Sequence, residues 1–242
     1  MDELFESCII EKKKSPLEIY NNTILYIVGI DPGVTSLGFS VVALIKDDTK
    51  NVLSYRIVHV DVWNLKHNQK KYKANSHQLF RYQSNQRILL DSDPVLKEII
   101  EKKMKWVMTV ENQVGCGLNV RQKKEEEMRR HGYFLPIMYC AALGGAAIEW
   151  AISRGAVYAD YVSKTSGWIP RHLALKIKSQ PKSKRSEIII FDLIAKINDW
   201  HHESIRRKII RFKAVKRKSA GDITDSVYKS IRWGVHNARL FI

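Results

Sequence analysis

The stretch 26-YIVGIDPGVTSLGFSVVAL-44 decides the fold. Two apolar runs, 24–30 (ILYIVGI) and 37–44 (LGFSVVAL), are separated by Asp31, Pro32 and Gly33. β-Branched and aromatic residues bounded by turn formers read as strands, and so short an interval reads as a hairpin. A third run, 52–60 (VLSYRIVHV), follows the turn residues Asp47 and Asp48, so the spacing predicts a three-stranded antiparallel meander. Asp31 sits at the mouth of the first turn, between Gly29 and Gly33. Taken alone it is an ordinary turn residue; whether it works chemically depends on what the rest of the chain brings beside it.

Downstream the pattern changes. Residues 64–75 are polar and Lys-rich and read as a surface loop, and helical patterns follow at about 77–91 and 95–104, divided by Asp91-Ser92-Asp93-Pro94. A fourth strand, 106–110 (WVMTV), runs into Glu111. A long helical pattern over about 122–153 begins charged (KKEEEMRR) and turns apolar (FLPIMYCAALGGAAIEWAI), with Pro136 as a point of kinking. A fifth strand, 156–162, leads to a loop, then helical patterns at 186–198, 203–213 and from 222 onward, where Val227, Ile231, Val235 and Leu240 form the stripe. Residues 1–22, with Lys12, Lys13 and Lys14, read as a basic mobile arm, and 23–242 as one domain. The order β-β-β-α-β-α-β-α predicts an α/β fold: a five-stranded mixed sheet with helices on both faces.

Reactive groups in open sheets of this kind lie at the carboxyl ends of the central strands. Asp31 ends the first strand and Glu111 the fourth; if those strands adjoin, the two acids meet. Asp222 and Asp225, three apart at the start of the last amphipathic helix, share one of its faces. Either aspartate alone would serve as a helix cap. Glu111 is harder to dismiss, because an acid closing an apolar strand is expensive to bury. Four acids at such element ends are better explained together. Clustered carboxylates need a cation, and all-oxygen donors suit Mg²⁺ or Mn²⁺. About two such ions, held by Asp31, Glu111, Asp222 and Asp225, would serve an in-line displacement at phosphorus.

Charge points the same way. The 242 residues hold 41 Lys and Arg against 25 Asp and Glu, a net charge of +16, and a surplus of that size favours a polyanion as partner. Cations outside and acids inside are the electrostatics of a metal-dependent nuclease. The run Lys176, Lys178, Lys182, Lys184 and Arg185 has no acidic balance before Glu187 and reads as phosphate-binding. Arg206, Arg207, Lys208, Arg211, Lys213, Lys216, Arg217 and Lys218 form the densest cluster and lead into the paired aspartates. Arg121 and Lys123, with Lys124, Arg129 and Arg130, are phosphate contacts or a solvated face balanced by Glu125, Glu126 and Glu127. The segment LGGAA (143–147) lies inside a helical pattern and reads as close helix packing, not as a nucleotide loop. His201 and His202 lack partners at ligand spacing and read as surface residues. Cys8, Cys116 and Cys140 make neither a disulfide framework nor a CxxC site, and the expectation is a soluble protein of a reducing intracellular compartment. No apolar run approaches the ~20 residues that span a bilayer.

The motifs resemble a known family. IVGIDPGVTSLGFSVV looks like the first hairpin of RuvC-type Holliday junction resolvases, VENQ (110–113) like their second acidic motif, and GDITDSVYKSIRWG (221–234) like their last helix with its paired acids. The poxvirus-type and fungal mitochondrial branch is the most similar, because KRKS (216–219) precedes the aspartates and because YVSKTSGW and KSKRSEIIIFDLI resemble its basic loop and helix. The resemblance implies an RNase H-like fold, Asp31, Glu111, Asp222 and Asp225 as the metal-binding catalytic residues, Mg²⁺ or Mn²⁺, four-way DNA junctions as substrate, and, for a viral source, the host cytoplasm. A homodimer follows from the need for two symmetric nicks, with the apolar half of the 122–153 helix (Phe134, Leu135, Met138, Tyr139) as its expected face. Two departures stand out. Ser219, Ala220 and Gly221 separate Lys218 from the aspartates, and Val114-Gly115-Cys116-Gly117 replaces the aromatic residue that bacterial members carry after the second acid. Among other readings, a sugar-kinase-like ATPase needs two copies of the fold and an adenosine motif, and a non-catalytic binder gains nothing from buried anions facing phosphates. A same-fold nuclease for RNA–DNA hybrids or flaps is the alternative.

Overall fold

The structure is a computed structural model that describes Leu17 and residues 22–33, 36–47, 52–65, 78–112, 134–162, 173–180, 182–196, 200–215 and 217–240. Strands β1 (Thr23–Asp31), β2 (Leu37–Asp47) and β3 (Val52–Trp63) form the expected antiparallel meander. Helices α1 (Gln78–Ser92) and α2 (Pro94–Glu101) lead to β4 (Trp106–Glu111), and α3 (Phe134–Ser153) to β5 (Tyr158–Val162). Then come α4 (Ala174–Lys178), α5 (Lys182–Ala195), α6 (Trp200–Val215) and α7 (Arg217–Asn237), closed by a 3₁₀ turn at Ala238–Leu240. The sheet order is β3-β2-β1-β4-β5, with β4 and β5 parallel to β1. This is the expected five-stranded mixed sheet with helices on both faces.

Strand parity builds two cores. Tyr26, Val28 and Ile30 of β1, with Trp106, Met108 and Val110 of β4, face the core shared with α1, α2 and α3. Leu25 and Ile27, with Val107, face a second core shared with α5, α6 and α7. Both strands are covered on both sides, which is why their sequences run almost continuously apolar. Parity therefore sends Asp31 and Glu111 to the α7 side. Leu17, within the N-terminal segment, is buried in the first core.

Helix α7 lies unusually close to the sheet because small residues meet small residues. A Cβ on Gly29 would fall 2.2 Å from Ser230 Oγ, and one on Gly38 would fall 2.1 Å from the Asp222 carbonyl oxygen. Ser226, Ser230 and Gly234 thus form the ridge that the sheet contacts, flanked by buried Ile223, Val227 and Ile231. The expected stripe holds at Val227 and Ile231 but not at Val235 and Leu240, which are exposed; a hydrophobic pattern overlooks serine and glycine as packing residues. Gly144 of α3 packs likewise, its Cβ position 2.8 Å from the Tyr161 ring, as expected for LGGAA.

Other boundaries differ in instructive ways. A short helix, α4, stands where only a loop was expected after β5, held by buried Leu173 and Ile177 against Ile189. The expected start of the long helix, 122–133, lies outside the described residues. His201 and His202 are not surface residues but buried. The β2–β3 register passes from Val41↔His59 to Val42↔Ile57, a bulge that leaves Val58 opposite no residue. His201 donates from Nε2 to the Val58 carbonyl (2.8 Å), and the Ile57 N–H donates to His202 Nε2 (3.3 Å). Among the described residues, no helix is long and apolar enough to cross a membrane.

Candidate active site

The parallel pairing of β1 with β4 sets Ile30 opposite Val110, so the next residues, Asp31 and Glu111, end neighbouring strands at the same edge of the sheet. Both are buried, Glu111 almost completely. Two anions placed so need compensation, and it comes from α7. Lys229 Nζ donates to Glu111 Oε2 and stands 3.9 Å from Asp31 Oδ1. Lys229 is itself only 8% exposed, so this ammonium lies inside the acidic site rather than on the protein surface.

Asp222 and Asp225 enter from the first turns of the same helix. The contact of the Asp222 backbone with Gly38 fixes how near the helix comes to the strand ends. Ser36, just before β2, donates to Asp222 Oδ2 at 2.6 Å. Ser186 of α5 donates to Asp225 Oδ1. Burial pushes the Asp222 carboxyl up to about 6; the Ser36 hydroxyl opposes that shift, the charges of Asp31 and Asp225 add to it, and Lys229 draws it back. These mutual effects join all three aspartates to Lys229 in one electrostatic unit. Tyr228, half-buried beside them, is held above the ordinary phenol range by burial.

The four acids expected from the sequence thus come from three elements, β1, β4 and α7, to one site. Three partners were not foreseen: Lys229, Ser36 and Ser186. The spacing Asp222, Asp225, Lys229 puts the lysine on the face of the aspartates and was the available signal. Chemically the carboxylates form an all-oxygen donor set suited to a hard divalent cation. The ammonium between Asp31 and Glu111 marks where positive charge is accommodated. Among the described residues, however, no three His, Cys, Asp or Glu side chains are drawn together as a finished metal cluster.

The basic residues divide into three groups. Lys176 and Lys178 are exposed on α4, while Ile177 between them is buried. Lys184 is exposed and Arg185 half-buried, its Nε donating to the Gln180 carbonyl (3.2 Å). Both immediately precede Ser186, so this part of the basic run flanks the acidic site. Lys182 opens α5, and Arg217 and Lys218 open α7, five and four positions ahead of Asp222. In α6 the picture changes: Arg206 and Arg207 pair with Glu203 (3.4 and 3.2 Å), Lys208 with Asp61 (3.6 Å) and Lys213 with Glu187. Much of the densest cluster is therefore already paired. Arg121, Lys123, Lys124, Arg129, Arg130 and Lys216 lie outside the described residues.

No protein-family model matches the chain, and no curated protein sequence matches it. Among solved structures, the chain is similar to RuvC of Thermus thermophilus, at 14% identity over 89% of this chain and 96% of that one, with a TM-score of 0.46. It is similar to T. thermophilus RuvC in complex with a Holliday junction substrate, at 14% identity over 89% and 96%, with a TM-score of 0.43. The yeast mitochondrial Holliday junction resolvase Ydc2 is similar at 13% identity over 92% and 86%, with a TM-score of 0.40. These likenesses are distant, and the chemistry assigned to this chain rests on its own residues.

Proposed function

We propose that this chain is a metal-dependent endonuclease that hydrolyses phosphodiester bonds in branched DNA, with the four-way junction as its substrate. The observation that carries the reading is the meeting of Asp31, Glu111, Asp222 and Asp225 at one end of the central strands, with Lys184 exposed two residues before the Ser186 that contacts Asp225. Asp31, Glu111, Asp222 and Asp225 would hold Mg²⁺ or Mn²⁺, about two ions. Bound there, the metal supplies Lewis-acid stabilisation of the phosphate and a water of lowered pKa.

The chain's own groups do the rest. Ser36 and Ser186 fix the orientation of the Asp222 and Asp225 carboxylates, as outer-shell hydrogen bonds do at metal sites. Lys176, Lys178 and Lys184 offer the phosphate backbone charge without reading sequence. The choice of a four-way junction follows the resemblance of the acidic motifs to those of junction resolvases. Resolution of a junction takes two nicks in strands of like polarity, and one chain carries one acidic quartet, so the working unit is a homodimer about a two-fold axis. On the expected α3 face Met138 is exposed and Tyr139 buried, which leaves Met138 available to a partner copy and commits Tyr139 to the core.

The test is cleavage of a four-way junction, a linear duplex, a flap and an RNA–DNA hybrid of matched sequence, each with Mg²⁺ and with EDTA. Paired symmetric nicks in the junction with Mg²⁺, and little cutting of the others, are expected. Preference for the hybrid or flap would keep the chemistry and reject the junction. No metal-dependent cleavage of any of them would reject both.

A further inference from the structure

We propose that Lys229 is a built-in counter-ion for the acidic site in metal-free protein, and that a divalent ion must displace its ammonium to bind. The inference rests on the metal-dependent reading above and adds a competitor for the metal within the chain. A lysine buried to this degree is expensive unless it is paired. Its contacts include Glu111 Oε2 and, at 3.9 Å, Asp31 Oδ1, the two acids that close β4 and β1 side by side. The helix fixes where the lysine stem starts: Ser226 and Ser230, on either side in sequence, are buried against the sheet, and Ser230 Oγ meets Thr109 Oγ1 at 3.3 Å.

A divalent cation and an ammonium cannot share the gap between two carboxylates, because like charges a few ångströms apart in a poorly solvated site repel strongly. Lysine suits such a device, since its four-carbon stem can swing its charge aside while the helix stays in place. Without metal the ammonium keeps Asp31 and Glu111 together. With metal it yields, and the ion's apparent affinity falls by the cost of moving it.

The experiment is calorimetric titration of Mn²⁺ into the wild-type protein, Lys229→Met and Lys229→Arg, with melting curves of each in EDTA and in Mn²⁺. Lys229→Met is expected to bind Mn²⁺ at least about tenfold more tightly than wild type, the scale of one unit charge removed from a screened site. It should melt lower than wild type in EDTA and recover in Mn²⁺. Lys229→Arg, still charged, should bind Mn²⁺ no more tightly than wild type. Equal or weaker Mn²⁺ binding by Lys229→Met would overturn the proposal. Should Lys229→Met not fold in EDTA, folding on addition of Mn²⁺ supports the proposal, and failure to fold at saturating Mn²⁺ overturns it. None of these readouts needs cleavage. Tighter Mn²⁺ binding by Lys229→Met in a protein that cuts no DNA would reject the nuclease reading alone, whereas junction cutting with unchanged Mn²⁺ affinity would reject this inference alone.

Discussion

At the residue scale, Asp222 carries a measurable signature of its surroundings. Its carboxyl lies at about 6 in the folded protein against an ordinary 3.8, chiefly through burial. The folded state therefore holds this proton more tightly than the unfolded state. The stability it contributes is complete below the ordinary value and is lost as pH rises from about 4 through about 6. In EDTA, Asp222→Asn should melt close to wild type at about pH 4 and above it at about pH 7, the gap opening across that window. A constant gap would mean that Asp222 is not buried among acids. Ser36→Ala removes the hydroxyl that favours the ionised form, and Mn²⁺ affinity by calorimetry should weaken by about 10–100-fold, as for other outer-shell partners. The acids were legible because charged residues closing apolar strands have few structural uses. Lys229, Ser36 and Ser186 were not, because a lysine on an amphipathic helix reads as solvent-facing until tertiary packing covers it.

At the scale of elements, the strands and their antiparallel meander were written in the apolar pattern, and the corrections arise where backbone irregularity or packing by small residues takes over. Nothing in VLSYRIVHV announces the bulge at Val58, so the need for two buried histidines to satisfy Ile57 and Val58 was invisible. His202→Ala strands the buried Ile57 N–H and should destabilise the fold by about 1–3 kcal/mol in denaturant unfolding. Cleavage per folded molecule should be unchanged. A loss of cleavage without loss of stability would instead give His202 a chemical role. The closeness of α7 to β1 and β2 was legible only in part: Gly29 stood in the opening motif as a turn neighbour and Gly38 within a strand, and their use as landing points for Ser230 and Asp222 emerges only when the helix is laid on the sheet.

At the scale of the whole molecule, charge and chemistry are arranged around one edge of the sheet. The net +16 indicated a polyanion, yet composition alone could not separate basic residues paired with acids, as on α6, from those left exposed, as on α4 and at the start of α5. If about 6–10 phosphates are contacted, junction affinity in metal-free buffer should fall about 10³–10⁵-fold between roughly 50 and 200 mM salt. A flat response would assign the charge to something else. The central claim is that four acids from three elements act as one metal-dependent nuclease site, with Asp31 at the end of β1 among them. The most direct measurement is nicking of a four-way junction in Mg²⁺ by wild type and by Asp31→Asn, at protein concentrations that give equal junction occupancy. The account predicts paired nicks from wild type, and none from Asp31→Asn, with junction binding by the variant intact or tighter; cleavage by Asp31→Asn at the wild-type rate would contradict it.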